Sequence, residues 1–225
     1  MEGQKMIKQL TFGVAFDNMF KLLDMWGEIA DDILYHSKFF SPVFFDKISA
    51  QYTTERSLFN QKEGHRLIIS ASNLVFTQNI INEYDSEYAD FKKRVINYIV
   101  PEILSSKKLV VKRLGMVYVS ELDQHTIKKF ASQYFRPEIN GINDFRFSKK
   151  EATPSGLIMN GSDDFINKIF SVGNLGDNLQ GISYDYQIHF APKRQDVRDT
   201  IDHFITKAND GFKKDILALL EAQND

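Results

Sequence analysis

The residues that are best suited to chemistry by their type and spacing lie on one face of a predicted strand in the last quarter of the chain. In the run 182–190, apolar or aromatic residues alternate with Ser183, Asp185, Gln187 and His189. Side chains of a strand alternate between its two faces, so these four polar residues share a face. Asp185 and His189 could act there as acid and base or as recognition groups in a cleft. The alternative is a solvent-exposed face, which antiparallel sheets commonly have.

Arg113 is a second candidate because it stands within the apolar run 109–119. An unpaired buried charge costs several kcal/mol, so a buried arginine needs a carboxylate partner. We predict that Asp185 or Glu121 supplies this carboxylate. A structural ion pair is favoured, and a ligand-binding arginine is the alternative.

Most catalytic and cofactor-binding motifs are absent. No glycine-rich loop joins a predicted strand to a predicted helix, as phosphate binding at a helix N-terminus requires. Gly115 and the glycines of residues 173–178 are interpreted as bulge or turn glycines. The five histidines have no metal-binding spacing, there is no G-x-S-x-G motif and there is no cysteine. We therefore expect no cofactor and no metal, assign no catalytic residue, and keep enzymatic activity as an alternative.

Charge is distributed unevenly, although the net charge is only −2. Residues 86–136 carry a local charge of about +5, and residues 17–46 a local charge of about −4. A basic surface would suit RNA or single-stranded nucleic acid. Alternatively, the lysines solvate helix backs and edge strands, or the oppositely charged regions support self-association. The basic candidates are Lys92, Lys93, Arg94, Lys107, Lys108, Lys112, Arg113, Lys128 and Lys129.

Two aromatic pairs flank Pro42, namely Phe39-Phe40 and Phe44-Phe45. Adjacent residues of a strand point to opposite faces, so one ring of each pair needs cover from a second layer or from a partner. Core packing is the favoured interpretation, and a dimer interface is the alternative.

The apolar spacing changes along the chain between the strand period and the helix period. It predicts strands at 9–16, 43–53, 67–70, 74–80, 109–119, 145–151, 157–159, 165–172 and 182–190. It predicts helices at 18–36, 84–104 and 126–134 and a last helix from Val197 onward. Pro101 should kink or end the second helix, and residues 209–211 are a weak point in the last one.

This element order predicts an α+β protein. We expect two ferredoxin-like half-domains, 1–106 and 107–225, with mostly antiparallel sheets and helices packed on one face. A single compact domain is the alternative. The run 109–119 is apolar on both alternations, which predicts a central strand covered on two faces.

Three short motifs carry a family resemblance: Leu-Ile-Ile-Ser at 67–70 with Leu-Val-Phe at 74–76, Arg-Leu-Gly-Met-Val-Tyr-Val at 113–119, and Tyr-Asp-Tyr at 184–186 before a terminal helix containing Phe212. With them the chain resembles a sporadically distributed prokaryotic family of proteins of unknown function. Val117 and Ser120 depart from that family's central strand, which has Arg and Asn there. The resemblance implies an accessory role, such as defence, toxin neutralisation or a mobile-element function, and no activity.

The lack of a catalytic constellation beside many aromatic and charged residues favours a non-enzymatic protein-interaction or accessory protein. We expect a homo-oligomer, specifically a dimer, with protein or nucleic acid as further partners. One alternative is a module that binds RNA or single-stranded nucleic acid through the basic residues 92–136. A second is a hydrolase-like enzyme with a cleft at Asp185 and His189. No export signal and no long apolar run are found, so we expect a cytoplasmic protein without a membrane partner.

Overall fold

The chain forms nine strands and five short helices in its described part. A computed structural model describes residues 7–36, 40, 43–49, 54–105, 107–134, 145–152, 163–175 and 180–217. The strands are β1 (Ile7–Phe16), β2 (Lys47–Ser49), β3 (Glu55–Asn60), β4 (His65–Ser70), β5 (Asn73–Asn79), β6 (Val111–Glu121), β7 (Phe145–Ala152), β8 (Phe165–Asn174) and β9 (Gln180–Arg194). The helices are α1 (Lys21–Asp24), α2 (Trp26–Asp31), α3 (Tyr84–Arg94), α4 (Gln124–Tyr134) and α5 (Arg198–Phe212). π-Helical segments extend α2 over Asp32–His36, α3 over Val95–Ser105 and α5 over Lys213–Leu217.

All nine strands join one antiparallel sheet in the order β2-β3-β4-β5-β1-β6-β9-β8-β7. The prediction of two ferredoxin-like half-domains is therefore wrong. The prediction fails because β1 and β6 pair with each other at the centre of the sheet. These are the first strands of the two predicted halves. Their hydrogen bonds make one continuous sheet to which only short helices are added. The boundary between residues 106 and 107 falls just before β6 and stays a prediction.

Alternate residues of the strands form the core. In β1, Leu10, Phe12 and Val14 are almost completely buried, while the residues between them are only partly buried. β6 follows the same pattern, with Val117 and Val119 on the less buried face. The expectation that this strand is covered on both faces is wrong, because its valines are partly exposed on the second face. The core joins strand and helix residues in one cluster, which includes Met116, Tyr118, Tyr184, Ile188, Trp26, Phe91, Ile127, Phe204 and Phe212.

Helices α3 and α5 are joined by polar contacts over this core. The Tyr84 hydroxyl donates to Asn209 Oδ1, and the Tyr88 hydroxyl donates to the carbonyl of Ile205. Lys92 pairs with Asp202 at 2.7 Å. The buried hydrogen bond to Asn209 is one reason that α5 runs unbroken through residues 209–211, where a weak point is predicted.

Gly211 has a packing role in the same helix. A Cβ atom at this position would lie 2.9 Å from the Tyr184 hydroxyl oxygen, too close for an ordinary contact. That hydroxyl donates to Asp215 at 2.9 Å and is therefore held in place. Glycine lets the helix approach β9 closely.

Of the two outcomes predicted at Pro101, a kink or an end of the helix, the helix end is wrong. The helix continues past Pro101 to Ser105 in its π-helical segment. Wider π-helical turns are one way in which a helix re-forms its hydrogen bonds around a residue without an N–H group. Within the described residues, no helix combines the length and apolar character needed to cross a membrane.

The strand and aromatic predictions near residue 45 are partly corrected as well. The strand expected at 43–53 is described only as β2, and the following β3 is not predicted from the sequence. Phe40 and Phe45 are buried and stack at 5.3 Å between ring centroids. The strand expected at 157–159 and the ring of Phe39 lie outside the described residues.

Candidate functional site

The candidate site lies on the sheet face that points away from the helices. Each strand places alternate residues there, and in the described part of the chain no second layer covers them: their side chains are mostly exposed or only partly buried. We call this surface the open face. The registers align its residues in rows across the strands. The rows are Asn79-Gln9-Val119-Ser183-Ser171, Thr77-Thr11-Val117-Asp185-Ile169, Val75-Gly13-Gly115-Gln187-Asn167 and Asn73-Ala15-Arg113-His189-Phe165.

Asp185, Gln187 and His189 form a hydrogen-bonded chain along β9. Gln187 Nε2 donates to Asp185 Oδ2 at 2.5 Å, and Gln187 Oε1 lies 3.1 Å from His189 Nε2. An ionised carboxylate only accepts hydrogen bonds, so the amide must present its NH₂ group to Asp185 and its oxygen to His189. His189 then donates from Nε2, and its Nδ1 is left as an acceptor.

His189 is also part of a stack on the open face that contains a second ring and an ammonium group. Phe165 stacks on the imidazole with 4.6 Å between centroids, and the Lys150 ammonium lies 3.8 Å from the centroid of Phe165. Burial lowers the pKa of His189, and the nearby charges of Arg113 and Lys150 lower it further. The imidazole is therefore neutral at neutral pH, consistent with its role as donor and acceptor.

A depression with a glycine floor lies at the centre of the open face. Gly13 of β1 and Gly115 of β6 stand directly opposite each other. A Cβ atom on Gly13 would have no neighbour within 4 Å, so the space above it is open. Glycine within a strand often marks a place where a ligand or another backbone comes close. The depression has a volume of about 150 Å³, and its rim includes Thr11, Arg113 and Asp185.

Asp185 has a free acceptor at this depression. Its Oδ1 atom is buried and makes no hydrogen bond to any described residue. It lies 3.6 Å from the position that a Cβ atom of Gly115 would take. Burial raises the pKa of Asp185, whereas its hydrogen bond from Gln187 and the charge of Arg113 act in the opposite direction. An unpaired buried oxygen of this kind costs stability unless a donor reaches it.

Arg113 does not form the predicted ion pair with a described carboxylate. Glu121, one of its two proposed partners, pairs with Lys8 at 3.0 Å. Asp185, the other, lies near enough for the charge of Arg113 to oppose the rise in its pKa, but no salt bridge joins the two side chains. Arg113 is partly exposed, so water compensates part of the missing partner. Its donors remain available at the rim of the depression.

A second cavity, of about 740 Å³, occupies the other end of the open face. Gln9 donates to Asn79 at 3.0 Å within it, and Ser171 and Ser183 contribute hydroxyl groups. Its remaining lining combines two lysines and one glutamate with apolar side chains, namely Lys8, Lys62, Glu63, Ile80, Ile81, Val119 and Leu175. The two cavities together extend along β1, β6 and β9, so the open face is a shallow groove.

The strands give the open face a positive charge. Besides Lys8, which pairs with Glu121, the described strand residues on this face include five cations and three carboxylates. Only one of these cations is in an ion pair with a described residue, the Arg66–Glu55 pair at 3.7 Å. The cations are Lys47, Arg66, Arg113, Arg146 and Lys150, and the carboxylates are Glu55, Glu121 and Asp185.

The basic residues singled out between 92 and 129 do not form one surface. Lys92, Lys93, Lys107 and Lys112 pair with Asp202, Asp90, Glu28 and Asp17 respectively. The Arg94 guanidinium donates to Gln78 and lies 4.2 Å from the ring centroid of Phe44. Lys108 and Lys128 are exposed, and the side chain of Lys129 lies outside the described part. Of the candidates whose side chains are described, only Arg113 lies on the open face.

Sequence reasoning misses several residues of this groove. Gly13 and Thr11 lie in a run, 9–16, where small or polar residues alternate with large apolar ones, a signal as regular as that of 182–190. Arg146 and Lys150 lie on one face of β7 by the same period. The stacking of Phe165 on His189 could not be predicted, because it depends on the register between β8 and β9.

Comparisons with protein-family models and with curated proteins find no match for this chain. Within the described residues there is also no group of three or more potential metal ligands. The side chain of His36, which the sequence places four residues after Asp32, is not described. The chemistry of the open face is therefore the best basis for a function.

Proposed function

We propose that this protein binds single-stranded nucleic acid along the open face of its sheet. The observation that carries the proposal is the set of cations on this face, of which Arg113, Arg146 and Lys150 make no ion pair with a described residue. A sheet face that carries such cations attracts a polyanion. The proposal keeps the nucleic-acid hypothesis drawn from the sequence but moves the site from residues 92–136 to the sheet.

The dimensions of the groove suit a short single strand. From Gln9 to Ala15 the floor runs along β1 for about 20 Å, taken as roughly 3.4 Å per residue. Amide and hydroxyl side chains border it, among them Asn79, Thr77 and Gln187. Such groups bind base edges, whereas the cations bind phosphates. A single nucleic-acid strand lying on this face could therefore contact the amides and hydroxyls through its bases and the cations through its phosphates.

The protein-interaction hypothesis loses part of its support. It relied in part on the aromatic pairs at 39–45, and Phe40 and Phe45 are packed inside the core. Phe44 is enclosed between His65, at 3.9 Å between centroids, and Arg94. Homo-oligomer formation stays a prediction that the experiment below also tests.

Among the described residues, the hydrolase hypothesis has no nucleophile that is hydrogen-bonded to His189. Within the described residues, the only hydrogen-bond partner of His189 is Gln187. A hydrolytic arrangement would need a nucleophile or an activated water within hydrogen-bond reach of the histidine. The recognition chemistry of the face is accordingly the better basis for a function, and a cytoplasmic location is the setting that we propose for it.

The test is fluorescence anisotropy with labelled twelve-nucleotide oligo(U) and oligo(dT) between about 50 and 200 mM salt. We expect binding that weakens as salt rises. The variant Arg113→Ala/Lys150→Ala should lower the slope of log K against log salt by about 0.7 per cation removed. Preference for oligo(U) would indicate recognition of the 2′-hydroxyl, and equal binding would indicate recognition of the shared backbone.

The matched control is Lys93→Ala/Lys128→Ala, which removes two exposed lysines from α3 and α4. It should leave both affinity and slope unchanged. Absence of binding at 50 mM salt, or an equal loss in the control variant, would overturn the proposal. If light scattering then showed a salt-sensitive dimer, the open face would be an interface between copies of the chain.

A further inference from the structure

We propose that the glycine-floored depression selects guanine among the bases of the bound strand, with Asp185 accepting from the Watson–Crick edge and Arg113 donating to O6. This inference rests on the proposed function and adds a base preference to it. It is carried by three features of one small site. They are a carboxylate oxygen without a partner, a guanidinium without an ion pair, and an open floor between them.

The two charged groups at the rim have opposite hydrogen-bonding character. Asp185, when ionised, only accepts, and Arg113 only donates. A ligand edge that satisfies both must offer donors to the carboxylate next to an acceptor for the guanidinium. The hydrogen bond from Gln187 Nε2 to Asp185 Oδ2 fixes the carboxyl group, so Oδ1 keeps its position at the floor of the depression.

Guanine alone among the four common bases has this edge. Its N1–H and N2–H groups are adjacent donors, and its O6 is an acceptor beside them. Uracil has a single donor between two acceptors, and adenine and cytosine each place a ring-nitrogen acceptor next to their amino group. Those acceptors would face the carboxylate oxygens of Asp185, which is unfavourable because neither group can donate.

The shape of the depression suits a flat ring. Its volume of about 150 Å³ corresponds to roughly five water molecules, taken at about 30 Å³ each. Gly13 and Gly115 place only backbone at its bottom. Val75 and Val117 provide apolar contact on the sides. A base lying in the depression would bring donors to Asp185 and remove the cost of its unpaired oxygen.

The experiment compares four twelve-nucleotide RNAs that differ from oligo(U) only at one central position, occupied by G, inosine, A or C. We expect G to bind more tightly than U by at least about fivefold, the lower range for a bidentate base contact. Inosine lacks the 2-amino group and should lose much of this gain. Asp185→Asn, which replaces one acceptor by a donor, should abolish the preference for G over U.

The control is Glu55→Gln, which removes an open-face carboxylate that pairs with Arg66, two strands away from the depression. It should keep the preference for G. Thermal denaturation of both variants shows whether they are folded. If oligo(U) and the G-containing RNA bind equally, or if Asp185→Asn keeps the preference, the guanine proposal is wrong although nucleic-acid binding stands. If no RNA binds, the proposed function itself fails.

Discussion

The glycine pair at the centre of the sheet allows a test in which stability and binding should move in opposite directions. Gly13 and Gly115 adopt ordinary extended backbone, and both point to the open face. Glycine within a strand costs about 0.5–1 kcal/mol relative to alanine, because it loses more conformational entropy on folding. At Gly13 a methyl group meets no atom within 4 Å, and at Gly115 it meets Asp185 at an ordinary contact distance of 3.6 Å. Neither alanine should strain the fold.

We therefore expect Gly13→Ala/Gly115→Ala to raise the free energy of unfolding by about 1–2 kcal/mol. For a chain of this size that corresponds to a rise in Tm of roughly 2–8 °C. The same two methyl groups fill the floor of the depression. Forcing a ligand onto an overfilled site costs about 1–3 kcal/mol, so affinity for the G-containing RNA should fall at least about fivefold.

The assays are differential scanning calorimetry and the anisotropy titration. Gly27→Ala is the matched control, because Gly27 is exposed in α2 and a Cβ atom there also meets nothing within 4 Å. It should raise Tm through helix propensity without changing affinity. A lower Tm in the double variant would mean that the fold itself requires the glycines. A higher Tm with unchanged affinity would mean that the depression is not a binding site.

Two further predictions concern the framework and the site. The Arg194–Asp164 ion pair is almost completely buried, with side-chain exposures of 7% and 0%, so Asp164→Asn should lower the free energy of unfolding by about 3–5 kcal/mol, as chemical denaturation would show; a loss below about 1 kcal/mol would contradict this. An NMR titration should give His189 a pKa below the ordinary histidine value of about 6.5, because burial, Arg113 and Lys150 disfavour its charged form. Since the unfolded chain then binds the proton more readily, this histidine lowers the stability of the fold as pH falls below about 6.5, and His189→Gln should remove that contribution. Titration at or above 6.5 would contradict the assigned surroundings.

Part of the open face follows from local periodicity. The alternation in 182–190 predicts that Asp185, Gln187 and His189 share a face, since side-chain direction in a strand depends only on position along it. The same rule applied to 9–16 would have placed Thr11 and Gly13 on one face. What no local pattern gives is which strands become neighbours. That Gly13 faces Gly115, and that Arg113 faces His189, depends on pairing between distant segments.

The fold class and the basic surface could not be predicted from the sequence for a related reason. A count along the chain finds the lysines of 92–112 close together, but Lys92, Lys107 and Lys112 are each paired with an acid on another element. Likewise, two similar successions of strands and helices are compatible with two separate sheets or with one. The choice is made by the β1–β6 ladder, a contact between residues about one hundred positions apart in sequence.

The open face also accounts for how a chain with a net charge of −2 could recognise a polyanion. Its five strand cations exceed its three carboxylates, so the rest of the molecule must be more acidic than the total charge suggests. An approaching nucleic acid would then be attracted by one face and repelled by the others, which orients the encounter before any base is contacted. Under the proposed function, selectivity would be decided later, at the depression, where a glycine pair and an unpaired carboxylate oxygen both reduce stability in the free protein. Neither the glycine pair nor the unpaired oxygen stabilises the free protein. A bound base with two adjacent donors would compensate for the stability that both features cost.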